Sequence, residues 1–325
     1  MKYIWTVSLT LLLIPSVLIA QNAKAEKFAK SITADELQEM VYTFASDEFE
    51  GRNTGKKGQK KAAGYIADFY RENDIESPIR KGDYFQEIPT EFYKDKYPPT
   101  ENVLGFIPGK TNEVIVLSAH YDHLGIKDGK IFNGADDDGS GSMAILEIAE
   151  AFKKAADAGH QPKRGILILH VTAEEKGLIG SDYYSKNPVI PLAQTVTNLN
   201  IDMIGRVDKR HQDNPNYIYL IGSDRLSTEL HKISERANQE TVDLELDYKY
   251  NAKSDPNRFY YRSDHYNFAK HDIPVIFYFN GTHADYHKPT DTADKLNYEL
   301  LEKRTRLIFH TAWKLANREK KPALD

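Results

Sequence analysis

The sequence contains no cysteine, and this absence excludes several kinds of chemistry at once. Disulfide bonds, thiol nucleophiles and cysteine-ligated zinc sites all require a thiol group. Any metal ion that the chain binds must therefore be held by His, Asp and Glu side chains. The chain has 11 His residues and 48 Asp and Glu residues, so ligands of these types are present.

An excess of basic residues is also absent. The 43 Lys and Arg residues are outnumbered by 48 Asp and Glu residues, and the formal net charge is -5. We therefore do not expect nucleic acid as a partner, because its binding depends on clustered positive charge. Internal repeats, low-complexity tracts and linkers rich in Gly, Pro or Ser are missing too. The simplest organisation is a single domain over residues 26–325.

The N-terminal segment differs in composition from the rest of the chain. Lys2 supplies a positive start, residues 7–20 form an apolar run, and the small residues Ala23 and Ala25 follow. This order is typical of a signal peptide, and we expect it to span residues 1–25. The run is short for a membrane span of ~20 apolar residues, and lipid attachment would need a cysteine. The sequence thus predicts an exported protein, periplasmic or secreted, without stable membrane insertion after cleavage.

Short apolar runs alternate with amphipathic stretches along the remaining chain. Residues 114–119 and 166–171 are almost continuously apolar, as in strands buried on both faces. Residues 58–71 repeat apolar side chains at helical spacing, and residues 241–250 alternate like an edge strand or hairpin arm. Such alternation predicts an α/β fold, a three-layer α/β/α sandwich around a mixed, centrally parallel sheet. Further strands are expected at residues 102–107, 196–201, 217–221 and 273–279.

Residues of metal-ligand type follow directly after the predicted strands. In open α/β sheets, ligands bind beyond the carboxyl ends of the strands, so these side chains are expected to converge. Together they can supply two His and three carboxylates. The residues concerned are His120 and Asp122, Glu174 and Glu175, Asp202, and the loop with His283, Asp285 and His287; the acidic cluster 136–138 precedes a helix.

Two His and three carboxylates suit a pair of zinc ions. Zinc accepts imidazole nitrogen and carboxylate oxygen, and two ions ~3.5–4 Å apart share a bridging carboxylate. Asp122 lies two residues after His120, where its carboxylate could accept the second imidazole N–H. Adjacent Glu174 and Glu175 diverge in direction, which favours one as metal ligand and the other as general base. A neighbouring carboxylate and partial burial would raise the pKa of such a base.

Each of these features has an alternative interpretation by itself. An acidic run such as 136–138 can be a solvated turn or a calcium loop, although it lacks the spaced carboxylates of an EF-hand. A loop histidine such as His287 is commonly a surface residue, and adjacent glutamates commonly mark a charged face. Four strand ends that all carry ligand-type residues favour the metal-site hypothesis over these separate explanations.

The motifs resemble those of the co-catalytic zinc aminopeptidase family in the order in which they occur. This family includes secreted bacterial leucine aminopeptidases, glutamate carboxypeptidase II and glutaminyl cyclases. The resemblance extends over nearly the whole chain after the N-terminal segment, including residues 44–70. The matching segments are SAHYDHLG (118–125), NGADDDGSGSMAILEIA (133–149), TAEEKGLIGSDYY (172–184), NLNIDMIGR (198–206), RSDHYNFAKHDIPVIFYF (262–279) and ADYHKPTDT (284–292).

The resemblance implies a role for each metal-ligand residue. His120 and Asp202 would bind one zinc, Glu175 and His287 would bind the other, and Asp137 would bridge the two ions. His283 is a rival ligand four residues before His287, but the motif YHKPTD favours His287. Mn or Co could substitute for zinc at His and carboxylate ligands.

The resemblance also implies the catalytic residues. Glu174 would act as general base and then as acid, Asp122 would orient His120, and Tyr286 would hydrogen-bond the developing oxyanion. The peptide bond between Asp137 and Asp138 is expected to be cis. No ligand role can be assigned to Asp264.

The function expected from these motifs is zinc-dependent hydrolysis of N-terminal residues from peptide substrates. The alternatives are glutaminyl cyclase chemistry with one zinc, a carboxypeptidase with arginines in its pocket, and a non-catalytic binding domain. Residues 92–102 leave no room for the protease-associated domain that some relatives carry. Residues 247–262 are the expected rim of the substrate pocket, with a plain exposed loop as the alternative.

Overall fold

The computed structural model describes residues 23–325, which form a central sheet covered by helices. The strands are β1 Phe85–Ile88, β2 Thr100–Ile107, β3 Val114–His120, β4 Gly125–Lys127, β5 Lys130–Phe132, β6 Gly165–Val171, β7 Thr195–Ile201, β8 Tyr217–Ile221, β9 Glu245–Asp247 and β10 Val275–Phe279. The α-helices that follow residue 30 are α1 Ala34–Phe44, α2 Lys57–Glu72, α3 Gly141–Asp157, α4 Ile179–Lys186, α5 Thr228–Glu240, α6 His265–Ala269 and α7 Tyr298–Asn317.

Eight strands form one sheet in the order β1-β2-β6-β3-β7-β10-β8-β9, and β4 pairs with β5 in a separate hairpin. The four central strands, β6, β3, β7 and β10, are parallel to their neighbours within this group. On one side β2 pairs antiparallel with β6, and on the other β8 pairs antiparallel with β10. The predicted mixed, centrally parallel sheet is thereby confirmed.

Alternate residues of the central strands face two different apolar cores. In β3, Ile115 and Leu117 belong to one core, whereas Val114 and Val116 belong to the other. This division follows from the two-residue period of a strand. The first core also contains the buried faces of α1, α2, α3, α5 and α7, and the second contains those of α4 and α6. The three-layer α/β/α arrangement predicted from the sequence is therefore confirmed.

Side-chain caps set the start of two helices. The Thr33 hydroxyl accepts a hydrogen bond from the Glu36 main-chain N–H at 3.2 Å and caps the start of α1. The Ser227 hydroxyl accepts from the Leu230 N–H at 3.1 Å. This second cap explains why α5 begins at Thr228.

The sheet edges differ most from the sequence-based expectations. β1 was not predicted, because a four-residue strand carries too little pattern to be recognised. Within residues 241–250, only Glu245–Asp247 forms a strand, which pairs in parallel with β8 at the sheet edge. The edge position agrees with the prediction, whereas the length does not.

The predicted signal peptide, residues 1–25, lies mostly outside the described residues, which begin at Ala23. Shortly after it, Phe28 is buried and stacks on Trp313 of α7, with 6.0 Å between ring centroids. Within residues 23–325, no helix combines the length and apolar character needed to cross a membrane.

Candidate metal centre

The candidate site lies at the carboxyl ends of the four parallel strands. His120 is the last residue of β3, and Asp202 directly follows β7. Glu174 and Glu175 lie in a short 3-10 turn after β6, and His287 lies in the loop after β10. These strand ends meet at one edge of the sheet, which explains how residues far apart in the chain come together.

Asp137 has one carboxylate oxygen in each of two clusters. In the first cluster, His120 Nε2 lies 3.1 Å from Asp137 Oδ1 and 3.6 Å from Asp202 Oδ1. In the second cluster, His287 Nε2 lies 3.1 Å from Asp137 Oδ2 and 3.3 Å from Glu175 Oε1. A carboxylate that turns its two oxygens toward two separate groups of ligand atoms has the geometry of a metal bridge.

Several of these atoms are buried without a hydrogen-bond partner among the described residues. They include His120 Nε2, Asp137 Oδ2 and Glu175 Oε1. Buried polar atoms are rarely left unpaired, because the loss of hydration is then uncompensated. Imidazole nitrogens and carboxylate oxygens at these separations are the donor set that zinc accepts, so the residues fit a metal centre.

Asp138 also lies close to the first cluster. One ligand-type atom each of His120, Asp138 and Asp202 falls within 4.8 Å of the others. However, Asp138 Oδ1 accepts hydrogen bonds from the main-chain N–H groups of Gly141 and Met203, at 2.9 and 3.0 Å. This carboxylate therefore holds the main chain around the cluster. The peptide bond between Asp137 and Asp138 is cis, as the motif implied.

The side chain of Arg52 supports the loop that leads into the acidic cluster 136–138. This residue was not predicted from the sequence to be part of the site. Its buried guanidinium donates hydrogen bonds to the main-chain oxygens of Tyr121, Asn133 and Gly134, at 2.9, 2.6 and 2.8 Å. Burial lowers the pKa of Arg52 to about 10, with Asp137 acting in the opposite direction. An isolated Arg 81 residues before the first loop oxygen that it contacts, that of Asn133, carries no sequence signal.

The two adjacent glutamates have opposite electrostatic environments. Burial raises the pKa of Glu174 well above its usual range, His120 opposes this, and the carboxylates of Asp202 and Asp264 raise it further. For Glu175, burial and Asp137 act upward, but the adjacent imidazoles of His123 and His287 bring the pKa to about 2. Glu174 is thus suited to hold a proton, and Glu175 to remain an anion.

Asp122 connects the first cluster to Glu174. Its carboxylate accepts hydrogen bonds from the Thr54 hydroxyl at 2.9 Å and from the Glu174 main-chain N–H at 3.0 Å. The nearest partner of His120 Nδ1 is the main-chain oxygen of Asp122 at 3.0 Å, and the carboxylate oxygen lies 3.9 Å away. The residue therefore contacts His120 mainly through its backbone.

Tyr286 lies at the side of the cleft, next to the second cluster. Its ring stacks on that of His287 with 4.0 Å between centroids, and its hydroxyl is 3.5 Å from Arg262 Nη2. Burial raises the pKa of this phenol far above its ordinary value, and Asp137 and Asp202 add to the effect. The hydroxyl therefore stays protonated and able to donate a hydrogen bond.

The two residues without an assigned role lie behind the clusters. His283 Nε2 is 3.1 Å from Asp136 Oδ2, and Asp136 Oδ1 accepts from the Gly205 N–H at 2.7 Å. Asp264 accepts a hydrogen bond from the Ser181 hydroxyl at 2.5 Å, and burial raises its pKa to about 7. His283 thus contacts neither cluster through this nitrogen.

Sequence reasoning missed one residue at the second cluster, His123. This side chain is fully buried, and its Nδ1 lies 2.9 Å from Glu175 Oε1. The available signal was its position three residues after His120 within the motif SAHYDHLG. The spacing alone does not show how the chain turns after β3, so it does not show where this ring points.

A cleft of about 390 Å³ opens over both clusters. Its walls combine the acidic residues of the site with aromatic and aliphatic side chains. Arg262 lies in the expected rim segment and is the lining residue with a permanent positive charge. The other lining residues are Asp137, Glu174, Glu175, Gly177, Leu178, Asp202, Met203, Phe259, Tyr261, Phe277, Phe279, Tyr286 and His287.

The sequence profile of peptidase family M28 matches residues 102–312. The chain belongs to peptidase family M28. This match runs from within β2 to within α7 and includes all five residues of the two clusters and Glu174.

Curated relatives in this family carry two kinds of name. A "Probable glutamate carboxypeptidase" of Arthroderma benhamiae is 38% identical over 112 residues, which are 34% of this chain and 15% of that protein. A "Probable leucine aminopeptidase" of Arthroderma otae is 29% identical over 221 residues, which are 66% of this chain and 57% of that protein. The chain thus spans less than two thirds of either relative.

Solved structures of aminopeptidases and of a cyclase share the fold. The LapA aminopeptidase of Legionella pneumophila has a TM-score of 0.72 at 20% identity. The superposition covers 98% of this chain and 78% of the LapA chain. BSAP, a zinc aminopeptidase from Bacillus subtilis, has a TM-score of 0.68 at 17% identity, with coverages of 90% and 97%. Bacteroides thetaiotaomicron glutaminyl cyclase has a TM-score of 0.66 at 17% identity, with coverages of 87% and 98%.

Proposed function

We propose that the protein is an exported zinc aminopeptidase that removes N-terminal residues from peptides with two zinc ions per chain. The observation that carries this proposal is the position of Asp137 between two clusters, each with one further His and one further carboxylate. The relatives named as leucine aminopeptidases support the choice of reaction. The zinc named for BSAP supports the choice of metal.

His120, Asp202 and Asp137 would hold one ion, and Glu175, His287 and Asp137 would hold the other. When bound, the two ions would lower the pKa of a water molecule and polarise the scissile carbonyl. Asp122 keeps the Glu174 main chain in place through the hydrogen bond at 3.0 Å. The fixed backbone holds the Glu174 carboxylate at the cleft wall, where a substrate amide can approach.

Glu174 provides the acid–base chemistry in this proposal. Its carboxylate accepts a proton from the attacking water and returns that proton to the leaving amine, so the residue ends each cycle unchanged. The Tyr286 hydroxyl, kept protonated by burial, donates a hydrogen bond to the oxyanion that develops on the carbonyl. Loss of either group therefore affects the transition state more than substrate binding.

The lining of the cleft favours an N-terminal over a C-terminal specificity. Three of its four carboxylates are the proposed metal ligands, whose charge two zinc ions would offset, so the contrast rests on the cationic side chains of the wall. A carboxypeptidase would need cationic side chains for the terminal carboxylate, and Arg262 at the rim is the candidate that this cleft offers.

Export and domain organisation complete the proposal. Residues 1–25 act as a cleaved signal peptide, and residues 26–325 form one catalytic domain without an inserted protease-associated domain. The protein then acts in the periplasm or outside the cell on peptides. N-terminal sequencing of the protein recovered from an exporting host tests this part, with a start at Glu26 as the expected result.

A substrate panel tests the reaction itself. We expect the purified protein to release the chromophore from aminoacyl-p-nitroanilides, and a chelator to abolish this activity until zinc is restored. N-blocked peptides with free carboxyl termini should remain intact. Ammonia release from an N-terminal Gln peptide, without turnover of any aminoacyl anilide, would instead establish the cyclase chemistry of the glutaminyl cyclase fold relative.

A further inference from the structure

The buried ring of His123 has no role in the proposed set of five metal ligands. Its ring is completely buried, and neither Nδ1 nor Nε2 has a hydrogen-bond partner among residues 23–325. Burying an unpaired imidazole costs free energy, so such a residue is expected to have a partner that protein atoms do not supply.

The Nδ1 atom of His123 points into the second cluster. It lies 2.9 Å from Glu175 Oε1 and 3.8 Å from Asp137 Oδ2. These are the same two oxygen atoms that face His287 Nε2, at 3.3 and 3.1 Å. Two imidazole nitrogens and two carboxylate oxygens from four residues therefore converge on one location.

The separations agree with tetrahedral coordination. Zinc bonds to nitrogen and oxygen of ~2.0–2.1 Å place neighbouring ligand atoms of a tetrahedron about 3.3 Å apart. Four of the six separations in this group are 2.9, 3.1, 3.3 and 3.8 Å, values that scatter around this expectation. The first cluster is explained by three ligand side chains, those of His120, Asp137 and Asp202, without a fourth.

Local packing fixes the His123 ring in this orientation. The His123 main-chain N–H donates to the Arg52 oxygen at 3.2 Å, which ties the turn after β3 to the buried Arg52. The ring lies against Gly134, where an added Cβ would come within 2.5 Å of the His123 Cγ and Cδ2 atoms. The ring is therefore seated against the backbone of the loop that also carries Asp137.

We propose that His123 Nδ1 is a fourth protein ligand for the ion held by Asp137, Glu175 and His287. This inference rests on the metal centre of the proposed function and makes its two sites unequal. The first site keeps three protein ligands and a position for water, as in catalytic zinc sites. The second site has four protein ligands and retains its ion more strongly, so chelation empties the first site before the second.

The competing explanation gives His123 a different role without metal coordination. A protonated imidazolium could donate from Nδ1 to Glu175 and merely position that carboxylate. In that case the nitrogen would carry a hydrogen atom toward the ligand atoms, and no bond to the metal would form. The two explanations therefore differ in a directly observable bond.

Nuclear magnetic resonance of the cadmium-substituted protein tests this bond. The full-length exported protein is labelled with ¹⁵N in histidine side chains and loaded with ¹¹³Cd. The His123 signals are assigned by their loss in His123→Gln. We expect the His123 Nδ1 signal to be split by ¹¹³Cd coupling, as are one nitrogen of His120 and one of His287. His271, which is exposed, should show no coupling and supplies the control variant His271→Gln.

Metal affinity provides a second readout that does not depend on activity. Chelator competition should show that His123→Gln raises the dissociation constant of the tighter ion by more than about 100-fold, the upper end of the effect of losing an outer-shell partner, and leaves the weaker ion nearly unchanged, while His271→Gln alters neither. Two bound ions with an uncoupled, protonated His123 would overturn this inference and leave the aminopeptidase proposal intact. Failure to bind any ion would overturn both.

Discussion

Tyr286 shows how a single side chain can be assigned a role from its surroundings. Its hydroxyl is beside Arg262, its ring stacks on His287, and burial keeps the phenol protonated. A neutral donor at the edge of a metal cluster is suited to hydrogen-bond an oxyanion that exists only in the transition state.

Replacing Tyr286 by Phe is therefore expected to lower kcat by about 10²-fold or more, the usual effect of losing one oxyanion donor, with little change in KM. Steady-state kinetics on an aminoacyl-p-nitroanilide measure this split. Tyr261→Phe is the matched control, because Tyr261 also lines the cleft. A change in KM alone would contradict the role assigned to the hydroxyl.

Glu147 is a buried carboxyl remote from the proposed reaction. It lies in α3, and one of its oxygens has no partner among the described residues. Burial raises the pKa of Glu147 to about 8, and Glu36 and Glu150 act in the same direction. Because the folded state holds the proton more tightly than the unfolded state, stability contributed by this group is lost as pH rises from about 4.5 to about 8.

Glu147→Gln should remove this pH dependence. We expect its free energy of unfolding to exceed that of the parent protein at pH 8 by about 1–3 kcal/mol, the cost of an unsatisfied buried group, and to approach it at pH 5. Urea denaturation at the two pH values tests the prediction, with the exposed Glu39→Gln as control. An equal difference at both pH values would show that the carboxyl does not titrate in this range.

At the scale of elements, the loop before α3 has strict steric requirements at Gly134. Gly134 has a φ of 57°, and an added Cβ would lie 2.3 Å from the Asp137 main-chain oxygen and 2.5 Å from the His123 ring. A residue with a side chain at this position must displace the segment that carries the bridging carboxylate.

Gly134→Ala is therefore expected to lower both the metal content and the thermal midpoint of the protein. Gly129→Ala is a matched control, since Gly129 also has a positive φ, 70°, but no atom within 4 Å of its added Cβ. Gly129→Ala should therefore lose only the free energy of placing a side chain at a positive φ, about 1 kcal/mol. Equal metal content and stability in the two variants would show that the contacts around Gly134 are dispensable.

The central strands could be predicted because their sequences combine continuous apolar runs with abrupt polar ends. Residues 217–221 match β8 fully, and residues 114–119 miss only the terminal His120 of β3. The same strand ends indicated the site, since ligand-type residues follow directly after them. Parallel pairing then brings those ends together without any further information from the sequence.

Other elements depend on contacts that no local pattern records. β1 is recognisable as a strand only through its pairing with β2. His123 and Arg52 reach the site through the turn after β3 and through hydrogen bonds to loop oxygens. The partner of His283 was unpredictable for the same reason, because Asp136 is 147 residues away in the chain.

For the whole molecule, the site concentrates buried negative charge at one edge of the sheet. Asp137, Asp138 and Asp202 are all buried there, near Glu174 and Glu175. Mutual repulsion of buried carboxylates opposes folding, and bound cations would relieve it. Binding to the folded state alone also shifts the unfolding equilibrium by mass action.

Removal of metal is accordingly expected to lower the thermal midpoint of the protein, and added zinc should restore it. At free zinc 100- to 1,000-fold above the dissociation constant, the stabilisation is about 3–4 kcal/mol. Differential scanning calorimetry of chelated and zinc-loaded protein measures the change. Identical unfolding curves in both conditions would contradict a metal centre built from these residues.

The central claim, two ions bridged by Asp137 with Glu174 as the base, is tested most directly by Glu174→Gln. The variant and the parent protein are compared for metal content per chain and for turnover of an aminoacyl-p-nitroanilide, with Glu39→Gln as control. The account predicts two zinc ions in all three proteins and a loss of kcat of about 10²- to 10⁴-fold in Glu174→Gln alone. Undiminished turnover in Glu174→Gln, or a single ion in the fully active parent protein, would contradict it.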